Sequence, residues 1–342
     1  MMDALFLHGA RDARIGAFAP VPAGNQSVML DVAAVGLCGS DLHYYKDGGI
    51  GAAVIKAPFV PGHEFGGYLC DDCESLGLAK GTLVAVDPNK ACGSCPWCQQ
   101  GYDNLCPKVE FIGAPPFAGA MTHQISVPLS QIVPVPTSFD PLETAMIEPL
   151  GVAIHAVDLA KPKLLERVAV VGCGPIGLLI IQILRVSGVG EILAVDPLAH
   201  RQSAARQLGA NQVGASVEAI ADWTKGEGCS LVIEATNSPF GFRDAVLAAR
   251  IGGRIVLVGI PDGDSYTLPA AEARRRALSI KFARRMGHVL PRAITLVASR
   301  QVDVAAIVSH RIGLGAVPAV FEDLANDAPD YLKVMIYPNG VK

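Results

Sequence analysis

Three residues with different metal-binding side chains lie close together near the amino end of the chain: Cys38, His63 and Glu64. A thiolate, an imidazole and a carboxylate all bind Zn2+, and three protein ligands leave a fourth tetrahedral position for water or a substrate. The set is therefore typical of a catalytic zinc site. Glu148 is a second candidate carboxylate for the same metal. Taken singly, His63 could equally be a buried core histidine and Glu64 a surface charge.

Four further cysteines follow the spacing Cys-x2-Cys-x2-Cys-x7-Cys, and they are Cys92, Cys95, Cys98 and Cys106. Four thiolates so close in sequence can surround one Zn2+ with no open position, which predicts a structural zinc site. An iron–sulfur cluster uses the same type of ligand, although Gly93 and Pro96 favour a compact metal-binding loop. We interpret the other cysteines outside the candidate active site as structural or incidental, and they are Cys70, Cys73, Cys173 and Cys229.

A glycine-rich turn reads Gly172-Cys-Gly174-Pro175-Ile176-Gly177, which matches the pattern G-x-G-x-x-G. It follows an apolar run and opens a helical pattern. Gly172 permits the tight turn, Gly174 lets the backbone approach a pyrophosphate, and Gly177 lets helix and strand pack closely. The amino end of such a helix offers N–H groups and a positive dipole end to the phosphates. The turn therefore predicts a dinucleotide-binding site.

The strand that follows this turn ends in an acidic residue, Asp196. A carboxylate at this point can accept hydrogen bonds from the adenosine ribose hydroxyls. It would repel a 2′-phosphate, and the next residue is Pro197 rather than a basic one, so the sequence favours NAD over NADP. Arg201 is placed to pack beside the adenosine. The alternative is that the glycines are only turns and Asp196 only a helix cap.

The elements that position these groups change in character near residue 145. Before it, short β-rich runs such as Ser27–Val35 and Leu83–Val86 alternate with Gly- and Pro-rich turns. After it, apolar strands alternate with amphipathic helices, which predicts a doubly wound parallel sheet. The predicted strands are Arg167–Val171, Glu191–Val195, Asn211–Gly214, Leu231–Glu234, Arg254–Val258 and Leu278–Phe282. The predicted helices include Pro175–Val186, His200–Leu208 and Phe240–Ala249.

The pattern becomes mixed again after about Pro291. A helix-like segment, Arg292–Ser299, is followed by the short segments Ile307–Ile312 and Lys333–Ile336. These segments either form a third small domain or return to the first domain and make it discontinuous. The sequence pattern alone does not choose between the two.

Composition excludes several classes of protein. A length of 342 residues favours two domains, and 51% hydrophobic residues with 18% charged residues exclude a disordered chain. The net charge of −4 argues against a nucleic-acid partner. The most apolar run, Gly177–Leu184, is well short of the ~20 residues that span a membrane. Asp3, His8 and Arg11 interrupt any signal-like segment, so we expect a cytoplasmic protein whose cysteines are metal ligands or thiols.

Taken together, these motifs resemble those of the zinc-containing medium-chain dehydrogenases, and more closely their polyol, sorbitol dehydrogenase-like branch. The resemblance covers essentially the whole chain. It depends on Cys38-Gly-Ser-Asp-Leu-His-Tyr-Tyr45, Gly62-His63-Glu64, the four-cysteine loop, Glu148-Pro-Leu150, the glycine turn and Lys333-Val-Met-Ile336. In the ethanol-oxidising branch a cysteine stands at the position of Glu148, so the chain departs from that branch.

The resemblance implies an α/β protein with two domains. A GroES-like β-barrel catalytic domain would comprise residues 1–147 and 287–342, and a Rossmann NAD-binding domain would comprise residues 148–286. Homodimers or homotetramers would be expected, with no nucleic-acid or membrane partner.

The resemblance also implies roles for individual residues. Cys38, His63 and Glu64 would bind the catalytic zinc, with Glu148 as an alternate ligand or a neighbour of the ligands. Ser40 would accept the hydroxyl proton of the substrate and His43 would pass it on. Residues implied to contact the substrate are Tyr44, Glu148 and Arg285, and those implied to lie beside the nicotinamide are Val258, Gly259 and Ile260.

The expected reaction is oxidation of a secondary alcohol of a polyol, sugar or sugar acid to a ketone, with hydride transfer to NAD. Coordination to Zn2+ lowers the pKa of an alcohol hydroxyl, which makes the reaction feasible at neutral pH. His288 departs from the sorbitol enzymes, so sorbitol itself is left open. The alternatives are a threonine-type amino-alcohol dehydrogenase and a non-catalytic zinc- and NAD-binding regulator. The zinc-ligand motifs oppose a metal-free quinone reductase.

Overall fold

A computed structural model describes residues 1–263, 265–326, 328 and 330–340. The chain forms two compact units. The first unit comprises Met1–Pro149, Leu290–Ser299 and Val304–Lys342, and the second comprises Leu150–Val289 and Arg300–Asp303. Among the described residues, no helix is both long enough and apolar enough to cross a membrane.

The secondary structure alternates between β-rich and mixed segments. The strands are β1 (Met2–Gly9), β2 (Asp12–Phe18), β3 (Ser27–Gly36), β4 (Gly49–Ile50), β5 (Ala53–Val54), β6 (Glu64–Leu69), β7 (Leu83–Val86), β8 (Asn89–Lys90), β9 (Glu110–Phe111), β10 (Gln124–Pro128), β11 (Ile132–Pro134), β12 (Arg167–Val171), β13 (Glu191–Val195), β14 (Gln212–Gly214), β15 (Cys229–Glu234), β16 (Ala249–Leu257), β17 (Ser279–Phe282), β18 (Val308–Gly313) and β19 (Lys333–Tyr337).

The α-helices are α1 (Gly39–Asp47), α2 (Pro96–Gln99), α3 (Pro141–Ala145), α4 (Ile147–Ala160), α5 (Pro175–Val186), α6 (Ala199–Gln207), α7 (Val217–Trp223), α8 (Gly241–Ala248), α9 (Ala270–Arg275), α10 (Leu290–Ala298) and α11 (Val317–Ala325). Short 3-10 helices cover Glu74–Leu76, Asp103–Leu105, Leu129–Gln131, Ala305–Ile307 and Leu314–Ala316.

The first unit is built around a sheet with the strand order β11-β7-β6-β3-β19-β18, and β10 also pairs with β3. Strand β3 is central, and its side chains pack in a buried core that includes Leu30, Phe65 and Phe321. The last strand, β19, runs antiparallel to β3 with Met335 opposite Gly36. The tail of the chain is therefore part of the first unit's sheet and does not form a third domain.

The second unit contains a six-stranded sheet with the order β14-β13-β12-β15-β16-β17. Every neighbouring pair is parallel. The chain starts at the central β12, winds outward on one side and then returns to wind outward on the other. Ligands of such sheets bind at the carboxyl ends of the strands, where the order reverses. Here that point lies between β12 and β15.

The predicted strands and helices of this unit agree closely with the observed ones, and one strand shows a larger difference. Strand β16 begins at Ala249 rather than at the predicted Arg254. Ala249 pairs with Cys229 ahead of a register shift, and the regular pairing resumes at Arg254 opposite Leu231. The intervening residues 250–252 are exposed, so this part of the strand has no apolar run to indicate it.

The unit limits also differ from the predicted domain boundaries. The first segment of the first unit ends at Pro149, whereas the predicted end is residue 147. The main segment of the second unit ends at Val289, whereas the predicted end is residue 286. Arg300–Asp303 belongs to the second unit, although the prediction assigned all of 287–342 to the catalytic domain. The reason is the buried Gln182 on α5, whose amide donates to the carbonyl of Asp303 at 3.1 Å and accepts from its N–H at 2.8 Å. The domain assignment itself stays a prediction.

Candidate active site and metal centres

Cys38 lies where β3 ends and α1 begins. Its backbone is extended, with φ −95° and ψ 155°, and it serves as the N-cap of α1. The Asp41 carboxylate accepts a hydrogen bond from the Cys38 N–H at 3.0 Å, which satisfies one of the unpaired donors at the helix start. The thiol is therefore held at the amino end of a helix by the residue three positions later.

Asp41 also organises the loop that carries His63. Its Oδ1 accepts from the Gly62 N–H at 3.3 Å and lies 3.7 Å from Nδ1 of His63. Asp41 is fully buried. Burial raises the pKa of this carboxyl, and His63 opposes that rise. Asp41 was not among the predicted site residues, although an acidic residue three positions into a helix is a recognisable capping signal.

The structure brings the three predicted zinc ligands together. The Cys38 Sγ, a ring nitrogen of His63 and a carboxylate oxygen of Glu64 all lie within 4.8 Å of one another. Atoms bound to one tetrahedral zinc lie roughly 3.3–3.8 Å apart, given bond lengths of about 2.0–2.3 Å. A thiol, an imidazole and a carboxyl group at this spacing fit a zinc ion.

Glu64 is also paired with a lysine from the far end of the chain. Nζ of Lys333 donates to Oε2 of Glu64 and to the carbonyl of Leu37, the latter at 2.9 Å. Both charged side chains are only 2% exposed. Lys333 was not among the predicted site residues. The available signal was a lysine beginning an apolar strand, because a buried lysine needs a charged or polar partner.

The charges around this cluster favour a cation. Burial raises the pKa of the Cys38 thiol to about 12, and Glu64 adds to this rise while Lys333 opposes it. Burial likewise raises the pKa of Glu148 to about 8, with His63 opposing. Several acidic groups thus face one another, with Lys333 beside them. A bound divalent ion would favour their deprotonated forms.

The four-cysteine loop forms a second candidate metal centre. The Sγ–Sγ distances are 4.0 Å for Cys92–Cys98, 3.4 Å for Cys95–Cys98 and 3.9 Å for Cys95–Cys106. Sulfurs around one tetrahedral zinc lie about 3.8 Å apart, given Zn–S bonds of about 2.3 Å. The cluster consists of these four thiols, all unpaired by disulfides. Ser94 Oγ donates to Cys92 Sγ at 3.7 Å.

The glycine turn has the geometry expected of a pyrophosphate site. Gly172 has φ 94°, a conformation that other residues rarely adopt. A Cβ on Gly177 would overlap the carbonyl oxygen of Gly172, so the helix can pack against the turn only with glycine there. At Gly174 the space is open, and the nearest atom to an added Cβ is Nη1 of Arg201 at 3.9 Å. Helix α5 then begins at Pro175, followed by Ile176.

Asp196 lies directly after β13 and contacts this turn. Its Oδ2 accepts from the Cys173 N–H at 2.9 Å, and its Oδ1 accepts from the Leu198 N–H at 2.9 Å. Nη1 of Arg201 lies 3.8 Å from Oδ2. The carboxylate is therefore fixed beside the glycine turn.

The predicted nicotinamide segment follows β16, at the same edge of the sheet as the glycine turn. The Val258 N–H donates to the carbonyl of Glu234 at 2.8 Å. Gly259 accepts from the Tyr266 hydroxyl at 2.7 Å. Ile260 is 40% exposed. These three residues thus lie in the same unit as the glycine turn, at the same edge of its sheet.

The other predicted site residues lie on α1 or in the second unit. Ser40 lies beside the Cys38 thiol and opposes the rise that burial causes in the pKa of that thiol. His43 is buried, with Nδ1 3.3 Å from Oδ2 of Asp47. Tyr44 is buried and packs edge-on against Phe59. Arg285 belongs to the second unit and has φ 54°.

Comparison with known proteins agrees with this arrangement. Residues 24–137 match the family model of the alcohol dehydrogenase GroES-like domain, and residues 175–299 match that of the zinc-binding dehydrogenases. The chain is 33% identical to the sorbitol dehydrogenase of Bacillus subtilis over 345 residues, covering 99% of this chain and 98% of that one. It is 33% identical to human sorbitol dehydrogenase over 331 residues, covering 93% and 91%.

Among solved structures, L-idonate 5-dehydrogenase from Escherichia coli superposes with a TM-score of 0.89 at 26% identity, covering 98% of each chain. The predicted fold class, a GroES-like domain with a Rossmann-type parallel sheet, is confirmed. The prediction of an alcohol or polyol dehydrogenase is confirmed as well, against the alternative of a non-catalytic regulator. The chain belongs to the zinc-containing medium-chain dehydrogenases, in the polyol branch that includes the sorbitol dehydrogenases.

Proposed function

We propose that this chain oxidises a secondary alcohol of a polyol, sugar or sugar acid to a ketone, with NAD+ as the hydride acceptor. The observation that supports this most directly is the clustering of Cys38, His63 and Glu64 within 4.8 Å. In this proposal these residues hold a zinc ion, and Glu148 is an alternate ligand beside them. Zinc, when bound there, supplies a Lewis acid that lowers the pKa of an alcohol hydroxyl.

The residues around the ligands hold them in place. Asp41 faces Nδ1 of His63 at 3.7 Å, so the other ring nitrogen is the one we assign to the metal. Lys333 holds Glu64 through its ammonium group. Because both supporting residues are fully or almost fully buried, water competes little for these contacts.

Proton removal is assigned to α1. Ser40 lies two residues after Cys38, and we propose that its hydroxyl accepts the proton of the substrate alcohol. His43, one helical turn later, would pass this proton on. Proton transfer by positioned side chains is worth roughly 10²–10⁴-fold in rate. Tyr44 and Arg285 are proposed substrate contacts, along with Glu148.

The second unit is proposed to bind the dinucleotide. The pyrophosphate would lie at Gly174 and the amino end of α5, where the backbone N–H groups and the open space favour it. Asp196 would accept hydrogen bonds from the adenosine ribose, with Arg201 beside the adenosine. A carboxylate there disfavours a 2′-phosphate, so NAD is proposed over NADP. Residues 258–260 would line the nicotinamide.

The four-cysteine loop is proposed to hold a structural zinc through Cys92, Cys95, Cys98 and Cys106. We further propose a homodimer or homotetramer in the cytoplasm. This proposal depends on the family resemblance. Light scattering on the purified protein tests the oligomeric state, and a mass equal to one chain would contradict it.

A spectrophotometric screen tests the proposed activity. Polyols, sugar acids and hydroxy amino acids are each supplied with NAD+ and with NADP+, and reduced cofactor is followed by absorbance. We expect turnover with polyols or sugar acids and a higher kcat/KM with NAD+. Turnover confined to hydroxy amino acids would instead support the amino-alcohol alternative. No turnover by the zinc-loaded protein across the panel would contradict the proposed substrate class.

A further inference from the structure

Thr236, just beyond the end of β15, is enclosed by three glycines from different parts of the second unit. A Cβ on Gly172 would lie 2.5 Å from Thr236 Cγ2, and a Cβ on Gly241 would lie 2.5 Å from Thr236 Oγ1. A Cβ on Gly259 would overlap the Thr236 carbonyl oxygen. One threonine thus touches the glycine turn, the start of α8 and the segment after β16.

Glu234 holds this threonine in place. Its Oε1 accepts from the Thr236 N–H at 2.7 Å and from the Thr236 hydroxyl at 2.6 Å. Glu234 is fully buried, and it lies in register with Val171 on β12 and Leu257 on β16. The Thr236 hydroxyl also accepts from the Ser238 N–H at 3.1 Å. The carboxyl group therefore fixes the loop between the two neighbouring strands.

The same carboxyl group also reaches the segment after β16. Burial raises the pKa of Glu234, and hydrogen bonds from Thr236 and from the backbone N–H of Gly259 oppose that rise. A buried carboxyl group is unfavourable unless it is hydrogen-bonded, so these contacts keep Glu234 in place between the two strands. Ligands of parallel sheets bind at the carboxyl ends of the strands, and a buried acid there that contacts both flanking segments points to a role in function.

We propose that Glu234 and Thr236 form a positioning pair that sets the spacing between the pyrophosphate turn at Gly172 and the nicotinamide segment at Gly259. The inference rests on the proposed function, in which one dinucleotide contacts both places. A dinucleotide bound at two points gains affinity only if both points are correctly spaced before it binds. A ligand that ends before the nicotinamide is insensitive to that spacing.

Glu234→Met tests the proposal, because it keeps the side-chain volume and removes the acceptor for Thr236. Binding of NADH and of ADP-ribose, which lacks the nicotinamide, is measured by calorimetry on the zinc-loaded protein. We expect the Kd of NADH to rise by at least about tenfold while that of ADP-ribose changes by less than about threefold. With NAD+ as substrate, the KM for the cofactor should rise more than kcat falls.

Two variants separate positioning from folding. Glu234→Gln keeps the oxygen that accepts from Thr236 and should recover most of the NADH affinity lost in Glu234→Met. Gln182→Met removes the buried amide that binds Asp303 and should lower the thermal midpoint with little change in the NADH:ADP-ribose affinity ratio. If Glu234→Met leaves the NADH:ADP-ribose affinity ratio unchanged, whether both affinities stay the same or fall equally, the proposal is overturned while the proposed function stays intact. Failure of the unmutated protein to bind NADH would overturn both.

Discussion

Lys333 and Glu64 form a buried ion pair between two strands that both pair with β3. Gly36 of β3 lies opposite Glu64 of β6 on one side and opposite Met335 of β19 on the other. The ammonium group of Lys333 donates to Glu64 and to the Leu37 carbonyl. A proposed metal ligand near the start of the chain thus receives its counter-charge from the last strand.

Removing the ammonium group of Lys333 should destabilise the folded protein. Lys333→Met leaves the Glu64 charge buried without its partner, which we expect to lower the free energy of unfolding by about 3–5 kcal/mol. Urea denaturation of the metal-free protein measures the effect. The matched control is Lys90→Met, which breaks the 2.6 Å pair with Glu110 in which both side chains are about half exposed. Lys90→Met should lower the free energy of unfolding by less than about 1 kcal/mol. An equal loss in the two variants would contradict the stabilising role of the buried pair.

Cys95→Ser should remove the structural zinc alone. The sulfur of Cys95 contacts those of Cys98 and Cys106 at 3.4 Å and 3.9 Å, and three thiolates leave a closed zinc site incomplete. We expect elemental analysis to show a loss of about one zinc per chain, together with a lower thermal midpoint. Cys70→Ser is the control, and this variant should contain as much zinc as the unmutated protein. Unchanged zinc in Cys95→Ser would remove this loop from the metal sites.

Ser40→Ala should lower kcat by roughly 10²-fold, because it removes the group proposed to accept the substrate proton. Zinc content and NADH affinity should stay at the values of the unmutated protein. Ser27→Ala provides a control, since the Ser27 hydroxyl serves a surface turn by accepting from the Gly24 N–H at 2.8 Å. Equal kcat values for Ser40→Ala and the unmutated enzyme would exclude Ser40 from the proton path.

Asp196→Asn should weaken the preference for NAD+. The amide removes the charge proposed to repel a 2′-phosphate. It also weakens the proposed charge-assisted hydrogen bond to the ribose, and such bonds are worth about 1.5–3 kcal/mol. The ratio of kcat/KM for NAD+ to that for NADP+ should therefore fall by about tenfold or more. Initial rates with both cofactors measure it. A ratio unchanged from that of the unmutated enzyme would show that Asp196 does not select the cofactor.

Glu166 makes the second unit sensitive to acid. Burial by itself raises the pKa of this carboxyl, but hydrogen bonds from Ser230 and the Lys163 N–H, with the charge of Arg254, lower it below its ordinary value. With the folded pKa below the unfolded value of about 4.3, its stabilisation is present above that pH. It is lost as the pH falls through the folded pKa.

Glu166→Gln should accordingly unfold more easily than the unmutated protein at pH 7, and this difference should shrink as the pH falls below about 4.3. Urea transition midpoints at a series of pH values measure the difference. Glu110→Gln is the control, since its pair with Lys90 is exposed and its effect should be small at every pH. A difference that grows toward low pH would contradict the sign of the shift.

Local patterns predicted the second unit well, because its strands are continuous apolar runs. The bounds of β12, β13 and α5 agree with the sequence expectation. The candidate metal ligands could be selected from the sequence as well, since their side-chain types are chemically distinctive, and their role as ligands stays a prediction. Their grouping in space depends on the pairing of β3 with β6, which sequence spacing alone does not give.

The missed residues act through contacts between distant segments. Lys333 is separated from Glu64 by most of the chain, so no local period could connect them. Thr236 is a small residue in a loop, and its importance lies in the three glycines that touch it. Those glycines indicate a close approach of backbone segments, but the sequence does not say which segment approaches.

The two hydrogen bonds between Gln182 and Asp303 bear on any attempt to isolate the second unit, the proposed cofactor-binding half of this enzyme. A recombinant fragment that stops at Val289 would leave the Gln182 amide with neither the carbonyl nor the N–H of Asp303. Each polar group of this amide that stays buried without a partner is unfavourable by about 1–3 kcal/mol. Residues 300–303, or a polar-to-apolar replacement of Gln182, should therefore accompany the excised half if it is to be produced in a folded form.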